Sequence, residues 1–209
     1  MPIVAVVGNK GGAGKTTLSI NLASGLHRHH HTVLLDADMQ RSSLQWRDIA
    51  GREDLDEVID AVDDVQGALR EYRERNDYVV IDCPPSVHSE QTWQALTHCD
   101  LAVIPVLPSP LDLWASVHVE QEIASAREEN PGLRVLLVVN QLEPRTRLSR
   151  LMHDALAEIS LPVAQTPVCR RVVYRNAVLQ GLSVMQAGAA GRAEEEEIEQ
   201  LIKEVVNLS

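Results

Sequence analysis

Five apolar runs set the skeleton of the chain: 3–7, 32–35, 78–81, 101–106 and 133–139. Each lacks the alternation of a half-exposed strand, so each reads as a strand buried on both faces of a parallel sheet. Helical spacing fills the intervals. Leu18, Leu22 and Leu26 mark one face of a helix from about Lys15 into the run His27-Arg28-His29-His30-His31. A short helix is expected around Trp46, with Arg41, Arg47 and Arg52, and another where Leu69 and Tyr72 share a packing face. The rest of 53–75 is acidic, then mixed in charge, and shows no chemistry. Pro105 is expected to end the fourth strand or make it irregular. Val163 opens a last short strand toward Thr166-Pro167-Val168, and helices follow near 171–180 and 193–207. Strands alternating with helices predict an α/β fold. Its sheet is doubly wound and mostly parallel, with helices on both faces, in a single domain over residues 1–209.

The segment after the first apolar run carries the chemistry. Asn9-Lys10-Gly11-Gly12-Ala13-Gly14-Lys15-Thr16-Thr17 joins a strand to a helix start. Strand, glycine-rich loop and Gly-Lys-Thr at a helix N-terminus form the context of a phosphate-binding P-loop. Glycines let backbone N–H groups approach phosphate oxygens, and the helix start adds partial positive charge. Lys15 can reach the β- and γ-phosphates of a nucleotide, and the Thr16 hydroxyl suits a Mg²⁺ position. Of three lysines in the chain, two lie in this loop; a slim point charge fits a phosphate better than a planar fork. The run 78–81 ends in Asp82, a Walker B signature whose carboxylate would hold Mg²⁺ through water. The run 32–35 ends in Asp36-Ala37-Asp38-Met39-Gln40, whose two aspartates share one side of an extended segment, where open α/β sheets place ligands.

The general P-loop pattern would place a glycine at Asn9, and here a lysine, Lys10, comes next. The loop resembles the deviant Walker A motif of the ParA/MinD superfamily. That resemblance implies that Lys10 reaches across a dimer interface to the partner's nucleotide. Asp36 to Gln40 resembles the family's switch I, with Met39 in place of proline, which implies that Asp38 orients the attacking water and organises the metal's shell. Cys83-Pro84-Pro85-Ser86 resembles switch II, and Leu107-Pro108-Ser109-Pro110-Leu111-Asp112 resembles a proline-rich dimer-interface segment. By the same resemblance Asn140 reads adenine with its amide, and the backbone at Pro167 and Val168 covers the base. The early P-loop matches small ParA proteins without an N-terminal helix-turn-helix.

The implied function is an ATPase with ATP and Mg²⁺ as cofactors. ATP would be sandwiched in a homodimer that binds nonspecific double-stranded DNA. An adaptor bound to a cargo, a plasmid or a protein assembly such as carboxysomes, would stimulate slow hydrolysis. The setting is cytoplasmic and nucleoid-associated.

Composition narrows the alternatives. The net charge of −11 excludes a chain that is basic throughout, yet Arg145, Arg147 and Arg150, and then Arg170, Arg171 and Arg175, form two arginine clusters in the region where the family binds DNA. A MinD-like membrane-bound regulator needs a basic amphipathic C-terminal helix, whereas 194–209 holds six glutamates and Lys203 as its one cation; no membrane partner is expected. A metabolic or metal-cluster relative is the other alternative: cluster-carrying members use paired cysteines, whereas Cys83, Cys99 and Cys169 are scattered, and synthetase members need a substrate pocket that no motif here marks. The clustered histidines read as a solvated helix end, and no apolar run reaches membrane-span length or forms a secretory leader.

Overall fold

The computed structural model describes residues 1–50, 55, 57–144 and 160–209, residues 50 and 110–118 by backbone alone. Its strands are β1 (Ile3–Val6), β2 (Thr32–Asp36), β3 (Glu57–Asp60), β4 (Tyr78–Asp82), β5 (Leu101–Val106), β6 (Arg134–Leu142) and β7 (Val168–Cys169). They form one sheet in the order β3-β2-β4-β1-β5-β6-β7, and every pairing among them is parallel. The helices are α1 (Lys15–His27), α2 (Ser42–Ala50), α3 (Val65–Tyr72), α4 (Glu90–His98), α5 (Pro110–Glu129), α6 (Val172–Leu179) and α7 (Arg192–Leu208).

The two faces of the sheet divide the core by strand alternation. Ile3, Ala5, Leu35, Val79, Ile81 and Leu137 pack with Leu69, Leu96 and Ile123 of α3, α4 and α5. Val4, Val6, Leu34, Val80 and Val138 pack with Leu22, Trp46 and Leu201 of α1, α2 and α7. α1 is buried along most of its length. A Cβ at Gly25 would collide with Ile202 Cδ1, so glycine permits the close crossing of α1 and α7.

Three expectations change. β3 is an extra strand, in the acidic segment that showed only a helix face. It is the sheet edge, pairs only β2 and buries Val58 alone, so it lacks the long apolar run of its neighbours. Val163 makes one isolated bridge to Leu137, and the last strand is the two-residue β7. Pro105 does not interrupt β5. The Val103 carbonyl accepts from Val7 N–H, so Pro105 faces the same side, beyond the last residue paired to β1. No ladder bond there requires its missing N–H.

Register fixes the site. Asp36 of β2 and Asp82 of β4 are direct neighbours, and Asp82 is level with Val6 of β1. The carboxyl ends of three strands therefore meet where the chain changes direction across the sheet, the crevice where such folds bind ligands.

Candidate nucleotide-binding site

β1 leads through the glycine-rich loop to α1. Gly12 and Gly14 have φ of +79° and +87°, left-handed values that favour glycine. A Cβ at Gly14 would also collide with the Asn140 amide. Gly14 caps α1 without a side-chain hydrogen bond, and no acid lies in the first turn. The N–H groups of that turn are therefore left for an anion.

Lys15 is only 6 % exposed, and its Nζ donates to the Lys10 carbonyl oxygen at 3.0 Å. Burial lowers its pKa, and the nearby carboxylates of Asp82 and Asp38 draw it back up. Lys15, Asp38 and Asp82 thus share one electrostatic neighbourhood. Lys10, Gly11 and Gly12 form the exposed crest of the loop; Ala13 is buried, and Thr16 and Thr17 are half-buried.

Asp82 is fully buried beneath the loop. Its Oδ1 accepts from Ser19 Oγ at 3.2 Å and its Oδ2 from Ser43 Oγ at 2.9 Å. The Thr16 hydroxyl lies near enough to favour the ionised carboxylate. Burial pushes the Asp82 pKa up to about 7, and the three hydroxyls restrain the rise. Ser19 and Ser43 carried no sequence signal; they lie 63 and 39 residues from Asp82 and meet it only through the fold.

The two switch I aspartates have different tasks. Asp36 is fully buried, and its oxygens accept N–H groups of Asp38, Ser43 and Leu44, at 3.1, 2.9 and 3.1 Å. It therefore shapes the turn into α2. Asp38 is half-buried, and its Oδ1 accepts from Gln40 N–H at 3.0 Å. Arg41, at φ +52°, closes the turn and pairs with Asp60 at 2.8 Å.

On the other side of α1 lies a cleft of about 120 Å³. Gly14, Thr17, Asn140, Gln141, Val168 and Tyr174 are among its walls. Asn140 Nδ2 donates to the Ala13 carbonyl at 2.7 Å, and Gln141 Nε2 to the Gly12 carbonyl at 2.9 Å. Two amides from the end of β6 thus hold the loop in place. Gln141, at φ +57°, has no sequence signature of this role. Asn140 stands at the expected cleft, and part of its amide serves the loop.

The arginine expectations separate. Arg170 is exposed and pairs with exposed Glu143 at 3.0 Å. Arg171 is held by Glu194 at 3.3 Å and Glu197 at 3.2 Å, both largely buried. Arg175 is exposed, and all three arginines border the cleft. Arg145, Arg147 and Arg150 lie outside the described residues. His29, His30 and His31 are exposed after α1, with the His30 ring against Tyr78 at 5.1 Å.

The donor set fits Mg²⁺. Thr16 and Asp82 offer oxygens, side by side, at the phosphate-binding loop. Among the described residues no three His, Cys, Asp or Glu side chains form a metal cage; Mg²⁺ characteristically takes one or two protein oxygens and completes its shell with phosphate and water. Among these residues no helix is long and apolar enough to cross a membrane.

Comparison with known proteins shows the family and the fold. The model of the CobQ/CobB/MinD/ParA nucleotide binding domain matches residues 4–184. The maintenance of carboxysome distribution protein A of Halothiobacillus neapolitanus is 45% identical over 207 residues, 97% of this chain and 95% of that protein. An ATP complex of a Cyanothece McdA variant superposes with a TM-score of 0.75 at 16% identity, covering 100% of this chain and 97% of that one. The cell division ATPase MinD of Pyrococcus furiosus gives 0.72 at 19% identity, covering 100% and 99%. At these identities the two structures speak for the fold.

Proposed function

The chain belongs to the CobQ/CobB/MinD/ParA family of nucleotide-binding domains, and on that premise we propose that it is a ParA-type ATPase that distributes carboxysomes along nucleoid DNA. The observation that carries the ATPase reading is the glycine-rich loop with left-handed Gly12 and Gly14 leading into α1, with buried Lys15 and with Asp82 held by Ser19 and Ser43 at the end of β4. Lys15 and the N–H groups of α1 hold the phosphates of ATP. Thr16 would ligate Mg²⁺ and Asp82 would hold one of its waters, and the bound ion would supply charge to neutralise the phosphates. Asp38 orients the attacking water. Lys10, on the exposed crest, reaches a second subunit's nucleotide, and a cargo-bound adaptor stimulates hydrolysis.

The cargo is inferred from the 45% identity to the Halothiobacillus protein along nearly the whole of both chains. Deleting the gene in its host, with a fluorescent shell protein as reporter, should turn evenly spaced carboxysomes into clusters. Even spacing without this chain would sink the cargo assignment.

Nonspecific DNA is the proposed track. Arg170 and Arg175 are exposed, and the Arg170–Glu143 pair is exposed on both sides, so it is worth little and yields readily to a phosphate. Arg171 is the poorer test residue, because its removal leaves two largely buried glutamates without their cation. Binding of random duplex to the ATP-bound protein should fall steeply with salt. The R170A/R175A double variant should flatten the log–log slope by roughly 0.9 for each phosphate no longer neutralised. ATP affinity, titrated in parallel, separates any loss at the cleft that both arginines border from a loss of DNA contact. An unaltered slope would remove these arginines from the DNA face.

A further inference from the structure

We propose that the C-terminal helix sets the base half of nucleotide affinity, with Glu204 and Glu197 acting as positioning residues for the wall of the base cleft. The proposal rests on the reading of that cleft as part of an ATP site. The wall is weakly held by its own backbone. β7 has two residues, and its register against β6 slips between Asn140 and Leu142. So short a strand at a sheet edge is marginal by itself, and the preceding Pro167 has no N–H to contribute.

Carboxylates of α7 supply what the ladder lacks. Glu204 takes both N–H groups before the proline: Oε2 accepts from Gln165 at 2.8 Å and Oε1 from Thr166 at 2.9 Å. Glu197 Oε2 accepts from Cys169 N–H at 3.0 Å and from the Tyr174 hydroxyl at 2.9 Å. Its Oε1 accepts from Arg171 Nη2 at 3.2 Å. Cys169, Arg171 and Tyr174 all face the cleft. The glutamates lie about two turns apart, on the same side of the helix. Ile198, Leu201 and Val205 between and beside them are fully buried, so α7 is seated by its apolar stripe and cannot slide. Hydrogen bonds to an ionised acceptor are roughly twice as strong as neutral ones. The segment 165–169 is therefore pinned at both ends to a rigid helix, at a fixed distance from the Asn140–P-loop side of the cleft.

A wall fixed in this way acts on the base and leaves the phosphates alone. Calorimetric titrations with ATP, GTP and inorganic tripolyphosphate separate the two halves of the ligand. Glu204→Ala, which removes two charge-assisted hydrogen bonds from the wall and none from the ligand, should bind ATP about tenfold more weakly. Its tripolyphosphate affinity should stay within about twofold of the unmodified chain, and its preference for ATP over GTP should narrow. Glu204→Gln, which keeps one acceptor oxygen, should fall between. Unchanged ATP affinity in Glu204→Ala overturns the proposal. So does an equal loss for ATP and tripolyphosphate, which marks general damage to the P-loop. Failure of the unmodified chain to bind ATP removes the nucleotide-site reading itself, and the proposal with it.

Discussion

Lys15→Ala should bind ATP about a hundredfold more weakly than the unmodified chain, or not measurably, because it deletes the buried loop cation that the proposed function places on the phosphates. Lys15 is held low by the Lys10 carbonyl and faces the charges of Asp82 and Asp38. Burial penalises its charge in the free protein, and a triphosphate supplies the compensating anion. The variant loses both the attraction and the ready-made geometry. Calorimetry reads the affinity. Lys10→Ala is the internal contrast. Lys10 sits on the exposed crest, and its carbonyl, which bonds Lys15, survives substitution. ATP affinity should fall only a few-fold, while ATP-driven dimerisation in sedimentation weakens. Retention of ATP by Lys15→Ala would remove the phosphate role, and normal dimerisation of Lys10→Ala would remove the cross-subunit role.

Asp38→Ala should keep ATP bound and stop turning it over, with stimulated hydrolysis reduced roughly a hundredfold or more. A group that positions water acts chiefly on the transition state and lowers kcat with little change in ground-state binding. The fold allows a clean test. Asp36, and not Asp38, accepts the N–H groups that build the turn into α2, so switch I should hold its path when Asp38 is removed. The substitution deletes the bond from Gln40 N–H, on the surface. The nucleotide-bound dimer should accumulate and remain on DNA. Phosphate release at the unmodified rate in Asp38→Ala would exclude the assignment.

Legibility tracked burial and contiguity. The strands β1, β2, β4, β5 and β6 were readable because both faces are covered and each is a long apolar run. β3 was hidden because an edge strand buries one side chain, Val58, among acids. β7 was too short for any period to show. In the site, the P-loop was readable because its nine residues act together within one segment. Asp82 was readable because it terminates a buried strand. The hydroxyls of Ser19 and Ser43 around it and the loop-holding amide of Gln141 were not, since each meets its partner across a long stretch of chain. The glutamates of α7 were the least legible. As sequence they suit the helix dipole and a solvated face. In the structure Glu194 is buried, and Glu194 and Glu197 both engage Arg171.

The sequence by itself determined the parallel sheet, the phosphate loop and the identity of the groups able to meet ATP. These depend on local physics: apolar runs that must be buried on both faces, glycines that permit a left-handed turn, a lysine and a threonine placed at a helix start. Tertiary structure alone decided which carboxylates brace the backbone and which stay open to solvent. Asp36 and Asp38 are two residues apart and chemically identical, yet one is buried under α2 and the other stays half-buried in the turn, where it accepts from Gln40 N–H. Glu197 and Glu204 share a helix with exposed Glu196, yet the seating of the apolar stripe turns Glu197 onto the cleft wall and Glu204 onto the segment that leads into it. A carboxylate's task is set by the donors that surround it in space. Those donors come from distant parts of the chain, so no local pattern encodes them.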